Sequence, residues 1–263
     1  MAASRKASNW PLAHKHVDLN PDSNLLKVLA IIFMVCDHTG KMLFHSNNMR
    51  LLGRLSFPIF ACGIAAGCVY TRSHVKYLSR LVMIGLISQP FYALAMDHTV
   101  SSMYAISFRD NPVLASLNFY VESWHHPNIF LTLVLGLLVI WTIRDRHLWL
   151  TLGLALFVWK AQGHIDYGWK GVALIVLFYL FINRWWLSLP VIVAFMGWWG
   201  ITAGNSYHLF GISFGMQTFA LLALPIIYIH TKSGLKIDKW VFYLFYPGHL
   251  IGMLLIELAM KSV

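Results

Sequence analysis

The chain of 263 residues is 58% hydrophobic and only 11% charged, with a net charge of +10 and a mean hydropathy of +0.63. Soluble domains usually carry about 25% charged residues, so this composition excludes an ordinary soluble protein and predicts an all-α integral membrane protein. The basic residues lie between apolar runs, which is typical of loops that flank membrane spans and not of a nucleic-acid-binding module.

The chain divides into a polar segment, residues 1–23, and one polytopic transmembrane domain, residues 24–263. Long apolar runs in the second part are expected to be helices, because lipid offers no partner to the backbone polar groups. We predict about nine transmembrane helices in one bundle, near residues 24–44, 49–70, 75–96, 128–143, 147–160, 168–183, 186–203, 208–229 and 240–260.

One long connection, residues 97–127, interrupts the series of apolar runs. Connections of this length are usually functional or partly re-entrant. The pair His125 and His126 could suggest a metal site, but no further ligands stand at a metal-binding spacing, so no metal is expected.

The distribution of positive charge predicts an orientation. Of the 20 Lys and Arg residues, thirteen would lie on the side of the N-terminus and seven on the opposite side. Positive residues are enriched in cytoplasmic loops, so we predict a multi-pass protein of the inner (plasma) membrane with a cytoplasmic N-terminus.

The first predicted helix carries three ionisable residues, Lys27, Asp37 and His38. Lys27 and His38 are eleven residues apart, which places them almost on the same face, three turns apart. A charged group within a span costs about 2.5–3.5 kcal/mol by insertion scales, so such residues are usually functional or paired. Alternatively, Lys27 extends to the lipid headgroups, and Asp37 and His38 lie at the membrane interface.

Polar residues also fall in other predicted spans on the same outward side as His38. Their convergence is what a buried reaction site or a substrate pathway needs. Asp37 could pair with either arginine of the second span; alternatively, the arginines contact headgroups and His249 is a core histidine bonded to a carbonyl. The candidate residues are Arg50, Arg54, Asn128, Asp166, Tyr167, Tyr246 and His249.

On the predicted cytoplasmic side, Arg72, Lys76 and Arg80 recur every four residues and would form a cationic stripe. Ordinary positive-inside charge explains this stripe most simply. The alternative is a binding site for the phosphates of a cytosolic cofactor.

Several short motifs follow one another between residues 24 and 255 and together resemble the TraX family of membrane proteins, whose founding members acetylate the N-terminus of conjugative pilin. The aspartate–histidine pair and the Gly-Arg-x-x-Phe-Pro motif are fairly specific when they occur together. The motifs are Lys27 with Asp37 and His38, and residues 53–60, 77–81, 128–130, 166–171 and 245–250.

The spacing from Lys27 to His38 also resembles that of the broader acyltransferase-3 group, which has a basic residue, ten residues and then a histidine in its first span. Both resemblances imply that an acyl group passes from acetyl-CoA to an acceptor across the membrane. The acceptor would be a pilin-like peptide or a sugar. Nine predicted spans rather than ten is a departure from the second group.

The resemblance and the residue pattern predict one mechanism. The cations Lys27, Arg72, Lys76 and Arg80 would hold the phosphates of acetyl-CoA. His38 would act as general base or nucleophile, and Asp37 would orient or charge the site. Arg54 or Asn128 would stabilise the oxyanion, and Tyr167, Tyr246 or His249 would contribute to the oxyanion or acceptor site.

Two other classes of function remain open from the sequence. Intramembrane histidine and aspartate also form proton relays in proton-coupled transporters of small solutes. Against a transporter, the sequence shows no repeated halves. A structural subunit of a secretion or conjugation apparatus would not depend on Asp37, His38 and Arg54.

Overall fold

The computed structural model describes residues 12–204, 207–209 and 212–262. Within these residues the fold is almost entirely helical, with one short β-hairpin. The elements are α1 (Ser23–Met42), α2 (Asn47–Gly53), α3 (Ser56–Tyr70), α4 (His74–Ala95), α5 (Pro112–Glu122), α6 (Phe130–Arg144), α7 (Leu148–Lys160), α8 (Gly168–Phe181), α9 (Trp185–Thr202), β1 (Tyr207–Leu209), β2 (Ile212–Phe214), α10 (Leu224–Tyr228) and α11 (Lys239–Lys261).

The helices fit an integral membrane protein, but the predicted count of nine spans is not confirmed. In the described part of the chain, four helical segments are long and apolar enough to cross a membrane, or five if the bent pair of α5 and α6 forms one span. Helices α7 and α8 have 13 and 14 residues. At 1.5 Å per residue they reach roughly 20 Å, which is less than the roughly 30 Å of a bilayer core.

The second predicted span is broken between α2 and α3, at Arg54 and Leu55. Pro58 explains the position of the break. It has no N–H to donate to the carbonyl four residues earlier, which is that of Arg54, and its ring would clash with that carbonyl in a continuous helix. Arg54, at this interruption, lies 3.5 Å from Asp37 near the end of α1.

Helix α3 lies at the centre of the bundle. Nine of its 15 residues are buried, among them Phe57, Ile59 and Cys62. It packs against α1, α6 and α8, and the core includes side chains from all of these helices. Because α3 is held at the centre of the bundle, the residues at its first turn have a fixed position, and the cavity described below lies at that end.

The predicted helix at 208–229 is wrong over its first half. Residues of β1 and β2 pair antiparallel, with the rings of Tyr207 and Phe214 stacked at 6.0 Å. A 3-10 helix, Met216–Ala223, and the short helix α10 follow. Gly215 contributes to the difference: a Cβ there would lie only 3.0 Å from the Ala203 backbone, so glycine allows the chain to pack closely against the end of α9.

The connection 97–127 contains a helix of its own. Asn111 caps α5 by accepting a hydrogen bond from the Leu114 N–H, and Pro112 occupies its first turn, as is common at helix starts. Helix α5 meets α6 at an angle of 60°. Such a bent pair is either a broken span or a re-entrant loop, and the second was among the expectations from the sequence.

Part of the polar N-terminal segment packs against the bundle. The Asp18 N–H donates to the Ile182 carbonyl, and the Asn20 N–H donates to the Ile227 carbonyl. Leu19 between them is only 2% exposed. Residues 12–22 therefore lie across the ends of α8 and α10, while residues 1–11 are outside the described part of the chain.

Candidate active site

A cavity of about 180 Å³ opens at the end of the bundle where α1 ends and α3 begins. Its wall combines apolar side chains with an unusually large number of ionisable ones. The polar and ionisable residues that line it are Asp37, His38, Lys41, Arg50, Arg54, Ser56, Tyr92, His98, Asp166, Tyr167 and Tyr246.

A chain of hydrogen bonds links two of the predicted residues, His38 of α1 and His249 of α11. His249 Nδ1 lies 3.0 Å from the Phe245 carbonyl oxygen, so this nitrogen donates. In a neutral ring, His249 Nε2 then accepts, and it lies 2.8 Å from His38 Nδ1, which donates. The lone pair of His38 is therefore left on Nε2, where it can accept a proton.

Aromatic contacts hold this histidine pair in place. The two imidazole rings stack with their centroids 5.1 Å apart. Tyr246 meets both rings edge-on, at 6.5 Å from His38 and 5.4 Å from His249. Tyr246 in turn packs against Phe130 of α6 at 4.9 Å, so three helices fix the position of the His38 ring.

Asp37 and Arg54 form an ion pair beside His38, with 3.5 Å between Oδ1 and Nη2. Gly53 makes this pair possible: a Cβ on Gly53 would lie only 2.2 Å from the Asp37 Cβ. The expectation that Asp37 pairs with an arginine of the second predicted span is thus met by Arg54 at this separation. Position 53 could not carry a side chain at this close crossing without moving the helices apart.

Asp166 and Tyr167 enter the cavity from the connection before α8. Tyr167 has φ of +61°, a left-handed conformation that costs a non-glycine residue on the order of 1 kcal/mol or more. Its ring stacks on Phe57 at 4.1 Å and meets Trp199 edge-on at 5.9 Å, and these contacts hold it there. The Asp166 carbonyl accepts a hydrogen bond from Thr132 Oγ1 at 2.5 Å.

Burial at the cavity shifts the pKa values of two residues in the connecting segments, Asp166 and His98. Burial raises the pKa of Asp166 to about 6, although Arg54 acts in the opposite direction. Burial, with help from Lys41 and His126, lowers the pKa of His98 to about 4. Near neutral pH, His98 is therefore an uncharged part of the wall, and Asp166 titrates close to the physiological range.

Several polar atoms at the cavity have no hydrogen-bond partner among the described residues. They are Arg50 Nε, Arg54 Nε, Tyr246 Oη and Asp37 Oδ1, all shielded from solvent; the 3.5 Å contact of Asp37 Oδ1 with Arg54 Nη2 is an ion pair but not a hydrogen bond. An unpartnered buried polar group costs about 1–3 kcal/mol, so each of these groups is available to a ligand, an ion or a water molecule. Tyr246 is the clearest case, because its side chain is only 5% exposed and lines the cavity.

Asn128 has a different position from the other predicted residues. Its Nδ2 donates to the Gly85 carbonyl at 2.8 Å, and its Oδ1 accepts from the Phe130 N–H at 3.0 Å. The Asn128 N–H donates to Gln89 Oε1. Asn128 is buried, lies outside the cavity wall and links α4 to the start of α6.

The four predicted phosphate-binding cations lie at the opposite end of α1. Lys27 stands over the Phe242 ring at 5.2 Å, and Arg80 donates to Tyr243 Oη at 3.4 Å. Arg72 and Lys76 are exposed to solvent. None of the four lines the cavity at His38, and along α1 Lys27 is about 16 Å from His38.

The candidates from the sequence did not include Lys41, Tyr92 or His98, which also line the cavity. Helical spacing could have indicated Lys41, because it lies one turn after Asp37. No comparable signal existed for Tyr92 and His98, since their position depends on how α4 ends and the following chain folds back.

Comparisons with known proteins add to this geometry. The family model described as TraX protein matches residues 22–257 of the chain. A curated relative from Dichelobacter nodosus, named probable fimbrial assembly protein FimC, serogroup H1, is 29% identical over 238 residues, which are 86% of this chain and 91% of the relative. No solved structure matches.

Proposed function

Because the chain belongs to the TraX family, we propose that it is a membrane-embedded acyltransferase that moves an acetyl group from acetyl-CoA to an acceptor. The main support is the hydrogen-bond chain from the Phe245 carbonyl through His249 to His38. This chain leaves a proton-accepting Nε2 on His38 at a cavity wall that also carries the ion pair of Asp37 and Arg54.

In the proposed reaction His38 acts as a general base. Its Nε2 removes a proton from the acceptor amine or hydroxyl, which then attacks the carbonyl carbon of the acetyl thioester. The tetrahedral intermediate collapses, the carbon–sulfur bond breaks, and the thiolate of CoA takes the proton back from His38. As the proton arrives at Nε2, the acceptor atom of His249 stabilises the imidazolium through His38 Nδ1–H.

Arg54 is the proposed donor that stabilises the oxyanion of that intermediate. Its Nε is shielded from solvent and has no hydrogen-bond partner among the described residues, so a donor is free for a ligand. The Asp37 carboxylate at 3.5 Å holds the guanidinium in position. Tyr246 Oη, which is also unpartnered among these residues, is a second donor for a substrate oxygen.

We propose that acetyl-CoA approaches from the Lys27 end of the bundle, which would face the cytosol. The residues there fit a phosphate-bearing ligand, since Lys27 lies in the first turns of α1, Lys76 and Arg80 in the first turns of α4, and Arg72 just before α4. The separation of about 16 Å along α1 would be bridged by the long flexible arm that carries the thioester.

The acceptor would reach the cavity from the opposite face of the membrane. The Dichelobacter nodosus relative is named a probable fimbrial assembly protein, and this name supports a pilin-like peptide as the acceptor. Transfer to the N-terminus of such a peptide, in its uncharged amine form, needs a base that removes a proton from the attacking nitrogen, which is the role proposed for His38. A sugar hydroxyl would use the same base.

Release of free thiol from acetyl-CoA by the purified protein, supplied with a pilin-like peptide, tests this function. We expect turnover in the wild-type protein and a loss of at least about a hundredfold in His38→Ala, as is typical when a general base is removed. His164→Ala is the matched control, because His164 is exposed and lies outside the cavity.

Equal turnover in wild type and His38→Ala would contradict the role of His38. Proton-dependent uptake of a solute into vesicles, without any consumption of acetyl-CoA, would instead support a transporter, the other class of function open from the sequence.

A further inference from the structure

A second and larger cavity, of about 740 Å³, lies beside the first. We call it the vestibule. It is bounded by the ends of α1, α4 and α11 and by the start of α2. The ionisable residues in its wall are Lys41, His45, Arg50, Asp97, Glu257 and Lys261.

Lys41 and Arg50 line both the vestibule and the cavity at His38, so they stand at the junction of the two. Gly40 brings them together: a Cβ on Gly40 would lie 2.6 Å from the Met49 Cβ and 3.2 Å from the Arg50 backbone nitrogen. The close crossing of α1 and α2 therefore forces two positive side chains into one stretch of wall, where they repel each other.

These two cations are not compensated in the way that their neighbours are. Arg54 is paired with Asp37, and Lys261 is paired with Glu257 at 2.5 Å. By contrast, neither side chain of the Lys41–Arg50 pair has a hydrogen bond or an ion pair within 4 Å of another described residue, and Arg50 Nε is shielded from solvent. The carboxylates of Asp37, Asp97 and Asp166 attract Lys41 only at longer range. Two adjacent cations without a close partner are further stabilised by a bound anion.

We infer that Lys41 and Arg50 bind an anionic group, a carboxylate or a phosphate, carried by the acceptor as it passes from the vestibule to His38. The identification of the ligand as the acceptor rests on the proposed function, whereas the anion site itself does not. The position favours the acceptor over acetyl-CoA, because Lys41 lies beyond His38 along α1, on the side away from Lys27. The site would position the acceptor through a charge close to its reacting group.

The test is a binding measurement with His38→Ala protein in nanodiscs of zwitterionic lipid. The probes are three fluorescent peptides with a free N-terminus that differ at one nearby position, which carries glutamate, phosphoserine or glutamine. We expect at least one anionic peptide to bind about tenfold more tightly than the glutamine peptide, the difference of one charge-assisted contact. The anion that is preferred identifies a carboxylate or a phosphate ligand.

The preference should disappear in Lys41→Gln and in Arg50→Gln. It should persist in Arg50→Lys, which keeps the charge and shows that the site still folds. Lys261→Gln and Lys160→Gln are matched controls: Lys261 is in the vestibule but already paired, and Lys160 is exposed elsewhere. Equal affinity for all three peptides, or a preference that survives both glutamine variants, would overturn the proposal.

Lipid headgroups also carry phosphate, and the lipid composition separates this source. If anionic lipid in the nanodiscs abolishes the preference without weakening the glutamine peptide, the site belongs to a lipid and the acceptor assignment is overturned. Because binding needs no turnover, a charge preference without acetyl transfer would refute the proposed function and leave the anion site standing. Acetyl transfer without any charge preference would refute the anion site and leave the proposed function standing.

Discussion

At the scale of single residues, the site depends on which ring nitrogen of His38 carries the proton. His249 decides this, because its Nδ1 is occupied by the Phe245 carbonyl and its Nε2 can then only accept from His38 Nδ1. The partner of His38 is thus another neutral ring, which positions the proposed base without adding a negative charge to an apolar bundle.

Replacement of His249 tests this positioning role. In His249→Phe the acceptor for His38 Nδ1–H is lost, and we expect kcat to fall roughly 10–100-fold with little change in KM, as for groups that orient a catalytic residue. His249→Gln keeps a side-chain acceptor and should recover part of kcat. The measurement is the steady-state kinetics of acetyl transfer for both variants. An equal loss of kcat in the two variants would speak against control of the tautomer.

At the scale of elements, the break between α2 and α3 and the crossing of α1 over α2 create the site. Pro58 ends the helical hydrogen bonding at Arg54, and Gly53 lets the helices meet where Asp37 lies. The two positions act together, since the helix is interrupted at Arg54 and the small Gly53 lets Asp37 come within 3.5 Å of the Arg54 side chain.

Gly53→Ala should therefore disrupt both packing and activity. The added Cβ would meet the Asp37 Cβ at 2.2 Å, which requires the helices to move apart at a cost of about 1–3 kcal/mol or more. We expect a lower midpoint of thermal unfolding in detergent and a loss of acetyl transfer. Gly63→Ala in α3 is the matched control, because a Cβ there meets no atom within 4 Å. Equal midpoints for the two variants would contradict the close crossing.

At the scale of the whole molecule, the two groups of charged residues lie at opposite ends of α1. The cations Lys27 and Arg80 are at one end, and the cavity with His38 is near the other. An enzyme that takes its donor from one side of a membrane and its acceptor from the other needs this separation, with the reaction at the place where the two paths meet.

Orientation in the membrane can be measured with introduced cysteines. We predict that His45→Cys, at the vestibule, reacts with a membrane-impermeant maleimide on intact cells, whereas Lys236→Cys, before α11, reacts only after lysis. Both positions are exposed in the structure. The parent chain is the control, since its three cysteines are buried or half-buried. The opposite labelling pattern would place the N-terminus outside and refute the proposed route of acetyl-CoA.

The local pattern predicted most helices well and the hairpin poorly. Apolar runs up to residue 203 correspond to helices within a few residues, because a long apolar segment has few other conformations open to it. The run at 208–229 was equally apolar but contains glycines, and its β-hairpin depends on pairing between β1 and β2 and on packing of Gly215 against the end of α9. The local pattern also failed to predict which helices are long enough to span the membrane, since α7 and α8 have only 13 and 14 residues.

The sequence by itself determined the membrane class, the family motifs and the residue types of the site, because hydropathy and the cost of intramembrane charge are local properties. Only the tertiary structure decided which of these residues meet. It joined His38 to His249 and Asp37 to Arg54, and it placed Asn128 in the link between α4 and α6. It also put Lys41 beside Arg50, since contacts between distant helices depend on crossings such as that at Gly40 that no local pattern encodes.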